Sequence, residues 1–256
     1  MGPIPDNRKV FERKYRIGMD EADPQSRVRL DAVARFVQDT GMDILAETEL
    51  GKHDPFWIVR RSIIDIIEPI TWPGYARASW WVGAVSRHNM VTRQTMTGVP
   101  TVSRFSSAER PAGRVETETF SVNVTREGRP SPVSDATLAG WRADAVHDTL
   151  VWKPMNAATP PVDQLEYFTS AFSLRTTDFD AFGHMNNAAY WHIVEYYLQP
   201  LRSLHRGPYR AVIEFLKPIR PRREVLVSQT YTDDKLGLWL IADGAVTTTV
   251  VVTKLG

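Results

Sequence analysis

At 256 residues and a net charge of +1, the chain is long enough for one large domain or two of ordinary size. The near-neutral balance gives no general attraction to nucleic acid or to a membrane surface, so neither is expected as a partner. There is no cysteine, which excludes disulfides, a thiol nucleophile and thiolate-bound metal. The amino terminus lacks a basic-then-apolar signal pattern and no apolar run approaches a membrane span, so a cytoplasmic enzyme or binding protein is expected.

In chain order, a first helix is predicted where Leu30, Val33, Ala34, Val37, Gly41, Ile44 and Leu45 fall on one face. Runs rich in Val, Ile, Thr and Trp then predict strands near 57–69, 75–85, 89–97 and 115–126. On the second of these, alternation gives Trp80-Trp81 one core ring and one surface ring. The Pro/Ala-rich stretch 153–163 reads as a linker. Beyond it, strands are predicted near 166–176, 209–219, 223–232, 236–242 and 245–254, with hairpin turns at Asp233-Asp234 and Asp243-Gly244. Among them lies a second helix, carrying Tyr190, Val194, Tyr197, Leu198 and Leu201 on one face.

The two halves match. Glu21-Ala22-Asp23 precedes the first helix and Asp178-Phe179-Asp180 the second, pairing Asp23 with Asp180 without a gap. After each helix a strand ends alike, Asp65–Ile70 against Glu214–Ile219, with Pro69 opposite Pro218. Two matches in the same order argue for internal duplication. The expected division is 1–150 and 151–256, each half an α+β unit with one long helix laid across an antiparallel meander.

The segment Thr177–Tyr190 concentrates polar chemistry: Asp178, Asp180, Gly183, His184, Asn186 and Asn187 fall within ten residues, read as a helix start. A helix start offers unpaired N–H groups and a positive dipole end, suited to polarising a carbonyl and holding an oxyanion. On that reading Gly183 lets a substrate carbonyl approach the backbone, and Asp180 activates water or attacks directly. Asp180 as a plain helix cap, and Asn186 and Asn187 as loop-orienting residues, are the structural alternatives. A calcium loop fails because Phe182 and Ala189 stand at ligand positions. No metal and no cofactor are expected. Arg220-Pro221-Arg222-Arg223 is the one basic cluster, either a solvated turn or a docking surface for an acidic carrier or a phosphate.

The text Asp178-Phe179-Asp180-Ala181-Phe182-Gly183-His184-Met185-Asn186-Asn187-Ala188-Ala189-Tyr190 closely resembles the signature of hotdog-fold acyl thioesterases. With Phe11–Tyr15 opening the first half and Trp57–Arg61 following its helix, the layout resembles the plant and bacterial acyl-carrier-protein (acyl-ACP) thioesterases. The resemblance implies a double-hotdog fold and hydrolysis of fatty acyl thioesters, with acyl carrier protein or coenzyme A (CoA) as carrier. It makes Asp180 and His184 catalytic; Gly183, Asn186 and Asn187 are the substrate-binding candidates read from the residues themselves. Three positions depart from the plant pattern, Phe182 standing for an asparagine, and Pro218 and Ile219 for a glutamate and the cysteine that follows it. An acyl-CoA thioesterase of the same fold and a non-catalytic acyl-thioester binding protein are therefore the alternatives. The first half has Arg27 opposite His184, and Arg29 and Leu30 opposite Asn186 and Asn187, so one working site per chain is expected. The duplication would serve as a built-in pseudo-dimer, the chain being a monomer or a homodimer.

Overall fold

The computed structural model describes residues 2–102, 104, 110–161 and 168–256. Residues 166–167 of the predicted strand and 162–163 of the predicted linker lie outside them. Among the described residues there are ten strands: β1 (Phe11–Arg16), β2 (Trp57–Glu68), β3 (Gly74–Val85), β4 (Asn89–Pro100), β5 (Arg114–Asn123), β6 (Phe168–Phe172), β7 (Tyr209–Phe215), β8 (Val225–Thr232), β9 (Lys235–Ala242) and β10 (Ala245–Lys254). Five helices accompany them: α1 (Leu30–Glu47), α2 (Glu49–His53), α3 (Asp135–Asp144), α4 (Ala189–Leu198) and α5 (Arg202–Arg206).

All ten strands join one antiparallel sheet in the order β1-β3-β4-β5-β2-β7-β10-β9-β8-β6. Read outward from the β2–β7 pair, the two halves carry the same sequence of strands. The sheet is thus pseudo-twofold symmetric, and the axis falls on a ladder running from Arg61 opposite Glu214 to Ile66 opposite Tyr209. Alternation sends Ile64 and Ile66 of β2, Ala211 and Ile213 of β7, and Val250 and Val252 of β10 into one buried cluster. Leu30, Val33 and Phe36 of α1, with Trp191, Val194 and Leu198 of α4, complete it. Each helix alone would leave its apolar stripe wet, and laid across the sheet both close a single core. A fully buried Leu198 is worth about 1.5–3 kcal/mol on the usual transfer scale.

Two differences from the sequence reading stand out. Helix α3 was not predicted; Ser134 starts it by accepting a hydrogen bond from the Thr137 N–H. Trp141 of α3 then packs edge-on against Trp80 at 5.8 Å, and Phe11 meets Trp80 at 5.6 Å. Trp81, on the opposite face of β3, is buried as well as Trp80, which corrects the expectation of one surface ring. Alternation tells which face a ring takes, not whether that face is covered.

The segment after α3 returns across the sheet and is fastened at its centre. Glu214 is buried and accepts from the Met155 and Asn156 N–H groups at 3.0 and 3.1 Å. Asn156 donates its side-chain amide to the Val212 and Thr249 carbonyls, and Arg61 donates to the Lys153 carbonyl.

Candidate active site

The motif loop is a tight hairpin turn that precedes the helix. Phe179 bridges Met185, the Asp180 N–H donates to the His184 carbonyl at 3.0 Å, and the Gly183 N–H donates to the Asp180 carbonyl at 3.0 Å. Asp180 Oδ1 accepts from the Phe182 N–H at 2.9 Å, an Asx turn that aspartate forms locally. Gly183 has φ +71°, the left-handed region that a glycine enters without cost from a Cβ. Helix α4 begins only at Ala189, and the Gly183 N–H is already engaged. This corrects the placement of the motif on a helix start; of the oxyanion donors expected near Gly183 and His184, the Gly183 N–H is engaged and, among the described residues, the His184 N–H is not. The Asp-x-x-Gly spacing is turn chemistry, and it wins over helix propensity here. Asn186 makes the actual approach to α4, its Oδ1 accepting from the Ala188 N–H at 2.9 Å.

The first half builds the same turn. Asp23 and Asp180 are 157 positions apart, and at that spacing the backbone bonds of the turn and its Asx bond recur. Asp23 N–H donates to the Arg27 carbonyl at 2.8 Å, and Ser26 N–H donates to the Asp23 carbonyl at 2.8 Å. Gln25 N–H donates to Asp23 Oδ1 at 2.9 Å, and Ser26 takes φ +65° where Gly183 stands in the twin. Both loops are anchored alike, Val28 N–H to the Ile70 carbonyl and Met185 N–H to the Ile219 carbonyl, each at 2.8 Å.

The chemistry of the two turns differs completely. Asp23 is saturated: Oδ1 also accepts from the Arg27 N–H at 2.8 Å, and Oδ2 accepts from Arg27 Nε at 2.8 Å. The Arg27 guanidinium runs on to the His205 carbonyl and ring, and His205 Nε2 stands 3.6 Å from Glu195. Glu195 Oε1, from α4, takes the Leu30 N–H at 2.7 Å. The space left among these groups is about 10 Å³, room for no more than one water. In the second half, among the described residues, Asp180 Oδ2 has no hydrogen-bond partner, and neither do the His184 and Asn187 N–H groups. Asp180 and His184 are both half-buried, and Asn187 follows them into α4.

Tyr190 lies behind the loop. It is buried, stacks edge-on against Phe215 at 5.1 Å, and accepts from the Ile219 N–H at 3.4 Å. Burial, chiefly, pushes its hydroxyl up to about 12, and the nearby charge of Asp180 acts in the same direction. The same Ile219 forms the wall of a cleft of about 330 Å³ lined by Lys217, Arg220, Arg223 and Asp243. The basic cluster is thus coupled to the motif loop through one residue. Arg223 pairs at 3.4 Å with Asp243, both exposed. Phe182 is at the turn tip, 77% exposed.

One continuous sheet bearing two helices across a pseudo-twofold defines a double hotdog. The chain belongs to the acyl-ACP thioesterase family: the model of the family's N-terminal domain matches residues 8–98 and that of its C-terminal domain residues 163–249. Uncharacterized proteins of two Mycobacterium tuberculosis strains are each 30% identical over 252 residues, spanning 98% of this chain and 94% of theirs. Among solved structures, the 12:0-ACP thioesterase from Umbellularia californica is similar at TM-score 0.69 and 19% identity, over 95% of this chain and 96% of that one. An acyl-ACP thioesterase from Bacteroides thetaiotaomicron is similar at TM-score 0.71 and 12% identity, over 95% and 97%. Among the described residues, no helix is long and apolar enough to cross a membrane.

Proposed function

We propose that the protein hydrolyses fatty acyl-ACP to free fatty acid at the Asp180 turn. The observation that carries this reading is the contrast between twin turns: Asp23 is locked by Arg27, whereas Asp180 presents an unpartnered oxygen beside His184. Asp180 takes a proton from water as the oxygen adds to the thioester carbon, or attacks the carbon itself and is released by water. The carbonyl oxygen gains charge and is held by the Asn187 N–H. That amide is favoured over Gly183 because its counterpart, the Leu30 N–H, already binds an anionic oxygen, that of Glu195. Collapse of the adduct breaks the carbon–sulfur bond. With Asp180 as base, the leaving thiolate takes the proton Asp180 held. With Asp180 as nucleophile, the thiolate leaves first and takes its proton from the water that then hydrolyses the acyl–Asp180 anhydride. Products are acid and free thiol.

In this proposal residues 151–256 carry the reaction and 1–150 supply the wall of the acyl channel. Gly183 shapes the turn, Asn186 sets the start of α4, and Arg220, Arg222 and Arg223 meet the acidic carrier. Hydrolysis of acyl-CoA is the second reading, supported by the same cationic cleft, which suits a phosphate as well as an acidic protein. Thiol release from acyl-ACP and acyl-CoA of equal chain length is the test. Faster turnover per KM on acyl-ACP supports the carrier-protein reading, and the reverse supports CoA. Binding of both without thiol release would leave a non-catalytic acyl-thioester binder.

A further inference from the structure

The first half shows what the second half leaves open. Leu30 meets Glu195 and Asp31 meets His192, so α1 and α4 run antiparallel past each other across the pseudo-twofold. The 157-residue correspondence continues through both helices without a gap. It exchanges Leu30 with Asn187 and Glu195 with Gln38. The contact that closes the first site is a carboxylate from α4 on the first amide of α1. By the same correspondence Gln38, on α1, is the counterpart of Glu195, and the Asn187 N–H the counterpart of the Leu30 N–H. Gln38 is half-buried, and among the described residues its side chain has no hydrogen-bond partner.

We propose that Gln38 completes the active site from the N-terminal half, donating its side-chain N–H to the thioester carbonyl oxygen held by the Asn187 N–H. The inference rests on the reading of Asp180 given above. The residue type carries the argument. A carboxylate can only accept, so Glu195 occupies the Leu30 N–H and closes that site to any other oxygen. A side-chain amide can donate, so at the mirrored position it adds a second donor aimed at the same point and leaves the backbone N–H to the substrate. It also keeps a negative charge away from a carbonyl oxygen that becomes negative during attack. Beside the Arg27 lock on Asp23, this difference in type, Glu against Gln, closes one backbone amide and leaves its twin open on the same scaffold.

The test compares kcat and KM for thiol release from acyl-ACP in Gln38→Ala, Gln38→Glu, Glu195→Gln and Asp180→Asn, with thermal midpoints as the control for folding. Loss of one oxyanion donor lowers kcat by about 10²-fold, so Gln38→Ala is expected to fall by that factor with KM little changed. Gln38→Glu is expected to fall below Gln38→Ala, because its carboxylate takes the Asn187 N–H as Glu195 takes that of Leu30. A packing role alone would order them the other way, since Glu is the closer isostere. Glu195→Gln leaves kcat unchanged. Should Gln38→Glu fold poorly, Gln38→Ala decides. Wild-type kcat in Gln38→Ala, or Gln38→Glu more active than Gln38→Ala, overturns the role of Gln38 while an inactive Asp180→Asn leaves the underlying reading intact. An active Asp180→Asn overturns both.

Discussion

Because the twin turns share a backbone and differ in chemistry, one substitution made in each should have opposite consequences. In Asp180→Asn, the side-chain oxygen still accepts from the Phe182 N–H, so the turn and the thermal midpoint are retained. What disappears is the basicity of the unpartnered oxygen. Loss of a general base costs about 10²–10⁴-fold in kcat, or roughly 3–5 kcal/mol at about 1.36 kcal/mol per decade. Asp23→Asn likewise keeps its acceptor for the Gln25 N–H but strips the charge from a pair whose side chains are 9% and 18% exposed. Water screens that pair little, and Arg27 is left with a neutral partner, at a cost of about 1–3 kcal/mol in stability. For a chain of this length each kcal/mol lowers the midpoint by roughly 2–4 °C. The assay is steady-state thiol release with a thermal melt on the same preparations. Equal loss of kcat in the two variants, or kcat within threefold of wild type in Asp180→Asn, would refute the assignment of one live and one closed site.

Gly183→Ala is expected to destabilise by about 1–2 kcal/mol through its left-handed φ alone, because a Cβ there meets nothing within 4 Å. Gly183→Asn, which tolerates that region better, should recover part of the loss in a denaturant titration; equal losses would point to a steric cause instead. Charge reversal at Arg220 and Arg223 should raise KM for acyl-ACP more than for a short acyl thiol, with the difference shrinking at high salt. Equal effects on both substrates would return the cluster to a solvated turn. Tyr190 is the pH probe. Its hydroxyl is raised from 10.0 to about 12, so the stability it contributes is complete below about pH 10 and is lost as pH climbs through about 12. Tyr190→Phe removes that component, and parallel stability curves for wild type and variant from pH 10 to 12 would contradict it.

The duplicated fold was legible because its signals are local and repeated: two helical stripes, alternating strands, and matching text around Asp23 and Asp180. Strand β2 and helix α1 fall within a residue or two of their predicted positions. Helix α3 escaped because its apolar face is sparse, with only Thr137 and Trp141 buried. At the site, the residue types pointed to the loop, but the turn was misread as a helix start. Asp-x-x-Gly is equally the text of an Asx turn closed by a left-handed residue, and periodicity cannot separate the two over four positions. Glu195 and Gln38 carry no motif at all. Their role depends on two helices meeting across an axis, a long-range relation that only the assembled sheet exposes.

The β2–β7 ladder also governs what the molecule offers to its neighbours. Separated, each half would present β2 or β7 as a raw sheet edge, a row of unpaired amides and carbonyls open to any passing strand. Fusion in one chain hides both, and among the described residues β1 and β6 stand at the margins. The exposed positions of β1 are Glu12, Lys14 and Arg16, charges that discourage a further strand from adding. Duplication therefore protects against aggregation: the chain meets its own ideal strand partner at an effective concentration no stranger can match.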